Sequence, residues 1–229
     1  MRNGAVFFLG IFLALAIAWT GIVLGSHAQL SRLAPYFDEN ESKAFPERMA
    51  GIAAQGQLVY QDLGCAACHT QQVRRPDFGS DKARGWGNRQ SVARDYINQA
   101  HVQLGESRVG PDLANFGTRA LSMDTDRLTR YLYEQHNGMP AYRFLFDERK
   151  IIGERSSKAL DSSLVPTATG MEIVPTHRAQ ALVAYLQSLN NTYEYPEAKP
   201  VAPAAKEGEA GAAKKEAAPA AAPKEGEHK

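Results

Sequence analysis

The sequence predicts an all-helical (all-α) domain with long irregular connections, preceded by one transmembrane helix and followed by a disordered tail. Three observations predict it. An uncharged apolar run opens the chain, helix-spaced apolar residues punctuated by Gly and Pro fill its middle, and its end holds almost no large side chain. Stretches with the period-two alternation of strands are scarce. At 229 residues the chain has room for one sizeable domain plus extras. A formal net charge of +1 gives no basic field, so no nucleic-acid partner is expected.

From Ala5 to Gly25 the chain reads AVFFLGIFLALAIAWTGIVLG, about 21 residues without a charge. Roughly 20 such residues cross a hydrocarbon core as a helix. Arg2 and the terminal amine precede the run, which favours a cytoplasmic N-terminus and export of the remaining chain. Ser26-His27-Ala28 also fits a signal-peptidase site, so a cleaved signal competes with an anchor. Signal-peptide apolar cores span about 7–15 residues, and this longer run favours an uncleaved anchor over residues 1–28. Both readings export the domain. Residues 29–47 read as a linker and 48–195 as the domain. Residues 196–229, rich in Ala, Pro, Lys and Glu, cannot bury enough surface to offset the entropy of ordering them.

Within the domain, a first helix is expected over Pro46–Leu63, with Pro46 in its first turn, Gly64 at its end and Ile52, Leu58 and Val59 on its packed face. A second is expected over Gln90–Val102. A third spans Asp124–His136, capped by Ser122 or Asp124, packed through Leu128, Tyr131 and Leu132, and ended by Gly138. The strongest pattern is the last, Thr176–Leu189, where Ala179, Leu182, Val183, Leu186 and Leu189 recur at helical spacing. The connection from Pro140 to Pro175 reads as irregular.

The two cysteines of the chain sit in Gly64-Cys65-Ala66-Ala67-Cys68-His69. A disulfide is the default for two cysteines in an exported protein. A thioredoxin-like pair wants a βαβ surround, and a zinc site wants a second pair of ligands; neither is in the sequence. Cys-x-x-Cys-His is instead the attachment signature of c-type haem. Two thiols three residues apart lie on one turn and add across the two vinyl groups of one haem, and His69 then offers its imidazole to the iron. One covalent haem c is therefore expected, with Cys65, Cys68 and His69 as its attachment site.

A second axial ligand could come from Met123, Met139, Met171, His101, His136 or His177. Met139 is preferred, because Asn137-Gly138-Met139-Pro140 is a turn after a helix that presents a side chain without competing packing. Met171 is its rival, and the three histidines read as surface or capping residues. Met ligation would raise the reduction potential relative to two imidazoles. The turn Gly110-Pro111-Asp112-Leu113 could bring a carbonyl to the other ring N–H of His69, although from its residues alone a plain turn is the better reading.

Taken together, these stretches resemble a class I cytochrome c domain, and more closely the membrane-anchored mono-haem cytochrome c subunit (subunit II, the O subunit) of cbb3-type haem–copper oxidases. The stretches are Gly64 to Pro76 (GCAACHTQQVRRP), Arg84 to Tyr96 (RGWGNRQSVARDY), Arg108 to Gly117 (RVGPDLANFG), Asn137 to Tyr142 (NGMPAY) and Val174 to Leu189. The resemblance implies Cys65, Cys68 and His69 as the haem site, Met139 as the axial methionine, and Pro111 as the carbonyl that receives the proximal imidazole N–H. It implies a single-pass protein of the bacterial cytoplasmic membrane with its haem domain on the periplasmic side. It further implies that electrons arrive from other c-type cytochromes and leave to the haem–copper catalytic subunit, this chain not itself reducing oxygen. The tail is outside that pattern, and Phe144 to Thr169 matches it loosely. Among the remaining arginines, Arg108 is expected to contact a haem propionate through its planar fork, and Trp86 to be a packing anchor. A free-standing membrane-anchored carrier, and a haem-based sensor or peroxidase with an open sixth position, are the competing functions.

Overall fold

The computed structural model describes residues 3–49 and 51–198, so Arg2 and the expected tail from residue 199 onward lie outside the described residues. The apolar run forms α1 (Gly4–Trp19), a π-helical turn (Thr20–Leu24) and α2 (Gly25–Leu30), one continuous helix Gly4–Leu30 of 27 residues. At 1.5 Å per residue this is about 40 Å, long and apolar enough to cross a membrane. None of its apolar window is buried against the rest of the chain, so side chains such as Phe7, Phe8 and Ile22 need a nonaqueous surround.

The stretch expected to be a linker folds instead. β1 (Tyr36–Asp38) pairs antiparallel with β2 (Lys43–Phe45). Pro46 therefore follows a strand rather than opening a helix, and α3 covers Gly51–Asp62. Its packed face also differs from expectation. Ala53, Gly56, Val59 and Tyr60 are buried, while Ile52 and Leu58 are exposed. The reason is a close helix crossing. A Cβ at Gly56 would stand 1.9 Å from the Ala181 carbonyl oxygen, so only glycine permits α3 to lie this near the last helix.

α4 is the single turn Cys65–Cys68, set off from α3 by Gly64 in the left-handed region. The helix expected over Gln90–Val102 reduces to one 3₁₀ turn, Ala93–Tyr96. Polar side chains here bind elsewhere than along a helix. The Asp95 carboxylate accepts from Val92 N–H and from both Arg89 Nη atoms (2.7 and 2.9 Å), and Ser91 Oγ accepts from Val73 N–H. After the short α5 (Ala120–Met123), α6 runs Thr125–Tyr133, with Asp124 accepting from Arg127 N–H as its cap. It ends before the expected His136, because Glu134 is extended and His136 pairs back onto Met139.

The Pro140–Pro175 connection contains a second antiparallel pair, β3 (Phe146–Lys150) and β4 (Met171–Pro175), with Phe146 opposite Pro175. Its anchor is Glu172, 3% exposed, which accepts from Arg149 Nε at 2.8 Å and Ser156 N–H at 2.7 Å. α7 (His177–Ser188) follows its Thr176 cap and, with Leu189 just beyond it, buries every apolar position the spacing named. The core lies between α3, α6 and α7 and is closed by Leu113, Phe116, Leu145 and Ile173. It extends past the expected boundary at 195, since Tyr195 and Ala198 are buried.

Candidate functional site

The turn α4 fixes Cys65 and Cys68 one helical step apart as free thiols, and His69 comes next with its N–H on the Cys65 carbonyl (2.9 Å). From there the backbone runs beside the Ser107–Leu113 loop. Ser107 N–H donates to Ala67 (3.2 Å), Gly110 N–H to Cys68 (3.0 Å) and Leu113 N–H to Thr70 (2.9 Å). This lacing brings the Pro111 carbonyl 2.9 Å from His69 Nδ1. A carbonyl only accepts, so Nδ1 carries a proton, and in the neutral ring Nε2 is then the lone-pair nitrogen. Gly110 makes the approach possible: a Cβ there would stand 2.2 Å from His69 Cε1. The His69 carbonyl is held in turn by the Tyr60 hydroxyl at 2.5 Å.

Cys65, Cys68, His69, Pro111 and Met139 all line one cavity of about 610 Å³. Its walls are apolar, contributed by Leu128 and Leu132 of α6, Leu182 and Leu186 of α7, and Phe116. Met139 reaches it from the turn His136–Met139, where Met139 N–H donates to His136 (2.5 Å) and Asn137 and Gly138 adopt positive φ. Burial pushes the Cys65 thiol up to about 11 and the Tyr142 hydroxyl up to about 12, so both are neutral at pH 7. Two other cavities, one beside α6 at Ser157–Asp161 and one beside β2 and residues 187–194, hold neither the cysteines nor His69.

The rival ligands fall elsewhere. Met171 sits in β4 opposite Lys150, His101 is exposed, and His177 Nε2 bonds Gln55 at 2.7 Å. The side chain of Met123 is outside what the structure describes. His136, expected at the surface, instead lines the cavity with its ring stacked on Tyr131 at 3.9 Å, and its Nε2 is shielded without a hydrogen-bond partner among the described residues.

Arg108 is not brought to the cavity. Its guanidinium lies 2.7 Å from Asp81 Oδ2 and 3.2 Å from the Gln72 carbonyl, so the expected propionate contact is not set up. The buried carboxylate claims it, since an uncompensated charge at 0% exposure would be costly. Trp86 lies under the Arg84 guanidinium and away from the cavity. Sequence reasoning missed Tyr60 and Asp81, gave no role of their own to Tyr142 and Asp112, and set His136 aside as a surface or capping residue. Only Asp112, beside the Gly-Pro turn, carried a signal, and its partners are distant in the chain.

The residues fit a haem. Paired thiols, an imidazole with a free Nε2 and a thioether face a cavity of ligand size with apolar walls. His136 Nε2, which also faces the cavity, is shielded and lies 3.6 Å from Glu134 Oε2. Comparison with known proteins agrees with the site's chemistry. The family model described as "Cytochrome C oxidase, mono-heme subunit/FixO" matches residues 4–168, a span that holds the cysteines, His69, the Gly-Pro turn and Met139. No curated protein matches the chain.

Proposed function

The chain belongs to the family of mono-haem subunits of cytochrome c oxidase, FixO, and on that premise we propose how its own residues hold the haem and where its electrons go. Members of this family carry one haem c and transfer electrons within an oxidase complex, and the N-terminal helix fits membrane anchoring. Cys65 and Cys68 would hold the haem through thioethers, and His69 Nε2 and Met139 Sδ would be the two ligands to its iron. The observation that carries this assignment is the convergence of all four on one apolar cavity, with His69 Nδ1 occupied by Pro111.

Held there, the haem would supply one-electron exchange at its iron. The protein's part is to keep that exchange simple. Pro111 fixes the imidazole's tautomer and strengthens it as a donor. The thioether of Met139 favours the reduced state relative to a second imidazole. Leu128, Leu132, Leu182 and Leu186 exclude water, and Tyr60 holds the backbone from which His69 projects. The complex is a cbb3-type oxidase, its haem domain lies outside the cytoplasmic membrane, and electrons pass from other c-type cytochromes to the haem–copper catalytic subunit.

Two measurements test this. Met139→Ala in the full chain should open the sixth position, so that the reduced variant binds carbon monoxide while the wild type does not. A wild type that binds it readily refutes Met139 ligation. Purification from native membranes in mild detergent should recover a haem–copper catalytic subunit with the chain, and recovery of the chain alone defeats the proposed partner.

A further inference from the structure

The Pro111 carbonyl is useful to His69 only if the Ser107–Leu113 loop keeps its place. The backbone lacing leaves a gap at Arg108 and Val109, whose N–H groups have no backbone partner among the described residues. Arg108 has φ +46°, a left-handed conformation that a residue with a side chain disfavours. Something must hold it there. Its guanidinium reaches back across the lacing: Nη2 donates to Asp81 Oδ2 (2.7 Å), Nη1 donates to the Gln72 carbonyl (3.2 Å), and Asp112 Oδ2 is 3.8 Å away.

Asp81 cannot follow a loosened loop, because it is tied on its other side. It is fully buried and also accepts from Arg74 N–H (2.9 Å) and Arg74 Nη2 (2.8 Å). Asp112, the residue after Pro111, is equally buried and accepts from Gln72 N–H (2.8 Å) and Ala114 N–H (2.9 Å). Both flanks of Pro111 are thus pinned by buried carboxylates to the stretch of backbone that carries His69.

We propose that Arg108 and Asp81 are positioning residues for His69, clamping the loop so that the Pro111 carbonyl stays on Nδ1–H and the imidazole stays a strong donor. The inference rests on His69 as the proximal ligand and is independent of Met139. A hydrogen bond from Nδ1–H to a carbonyl raises the basicity of the imidazole and favours ferric iron, so loosening it raises the midpoint potential.

This sign separates positioning from charge. Removing the cation in Arg108→Gln would by charge alone lower the potential, and removing the anion in Asp81→Asn would raise it. The clamp predicts that both rise. It also predicts that Nδ1–H of His69 exchanges with solvent about tenfold faster in both, and that Arg108→Lys, which keeps the charge but not the fork, lies between Arg108→Gln and wild type. The experiment is redox titration and ring N–H exchange by NMR on the purified full-length holoprotein in detergent. Opposite shifts in the two variants, or unchanged exchange, overturn the proposal. Should Asp81→Asn not accumulate, Arg108→Gln decides alone, since a lowered potential there overturns it. Carbon monoxide binding by the wild type would refute Met139 ligation and leave this test intact.

Discussion

At the scale of single residues, the space beside the His69 ring is measured by what Gly110 lacks. A methyl group there would overlap the imidazole at 2.2 Å, and neither partner is the free end of a flexible chain. We expect Gly110→Ala to displace His69 from Pro111 and destabilise the holoprotein by about 1–3 kcal/mol, the usual cost of overpacking, measured by urea unfolding. Asp81 sets a pH dependence. Its burial raises the carboxyl pKa, but hydrogen bonds from Arg74 and the charge of Arg108 outweigh this and hold it below the ordinary carboxylate range. Between the two values the unfolded chain binds more protons than the folded one, so stability rises with pH there. The contribution is complete above the unfolded pKa near about 3.9 and is lost as pH falls through the lower folded value. Urea midpoints stepped from pH 6 to pH 3 should therefore fall less steeply in Asp81→Asn than in wild type. An equal or steeper fall would remove Asp81 from the acid limb.

Elements are legible in the sequence where local chemistry and packing agree. α7 buries the apolar stripe its spacing names, α6 buries Leu128 and Leu132 but leaves Tyr131 half-buried, and Asp124 caps α6 as its side chain suggests. The Cys65–His69 turn and the Met139 turn are equally local, which is why the parts of the site can be named without the fold. α3 misleads for a physical reason. Its interface is a backbone approach through Ala53 and Gly56, invisible to a search for large apolar residues. The Gln90–Val102 stretch misleads because Arg89, Ser91 and Asp95 bind partners that only the fold supplies. The two strand pairs are short, and β3 shows no alternation, so their pairing is not readable from the residues. The α3–α7 crossing has its own test. Gly56→Ala must drive the helices apart at Ala181 and Tyr185, and α7 carries Leu182 and Leu186 into the cavity wall. A loss of about 1–3 kcal/mol in urea unfolding is expected, together with an altered haem absorption spectrum. Unchanged stability would mean that the helices separate freely.

For the molecule as a whole, the segment behind the membrane helix is fastened to the last residues of the haem domain. Tyr193 stacks on Phe45 with centroids 4.0 Å apart, and its hydroxyl donates to Asp38 Oδ2 at 2.6 Å. Tyr36 packs on both Tyr193 and Tyr195, and Arg94 bridges the Ala34 carbonyl and Glu197. An electron carrier on a free leash could sweep a wide volume, whereas this clasp leaves only a short stretch between Leu30 and Tyr36. Tethering that short confines the haem domain near the end of its anchor and favours a partner in the same membrane complex over a distant one. In Tyr193→Ser the stacking and the bond to Asp38 are both lost, while every group lining the haem cavity is retained. Limited proteolysis of the full chain in detergent should then cut the 31–46 segment about tenfold faster than in wild type, with an unchanged haem spectrum. Equal cleavage rates would show that the clasp does not restrain the segment, and a changed spectrum would show that it supports the haem site instead.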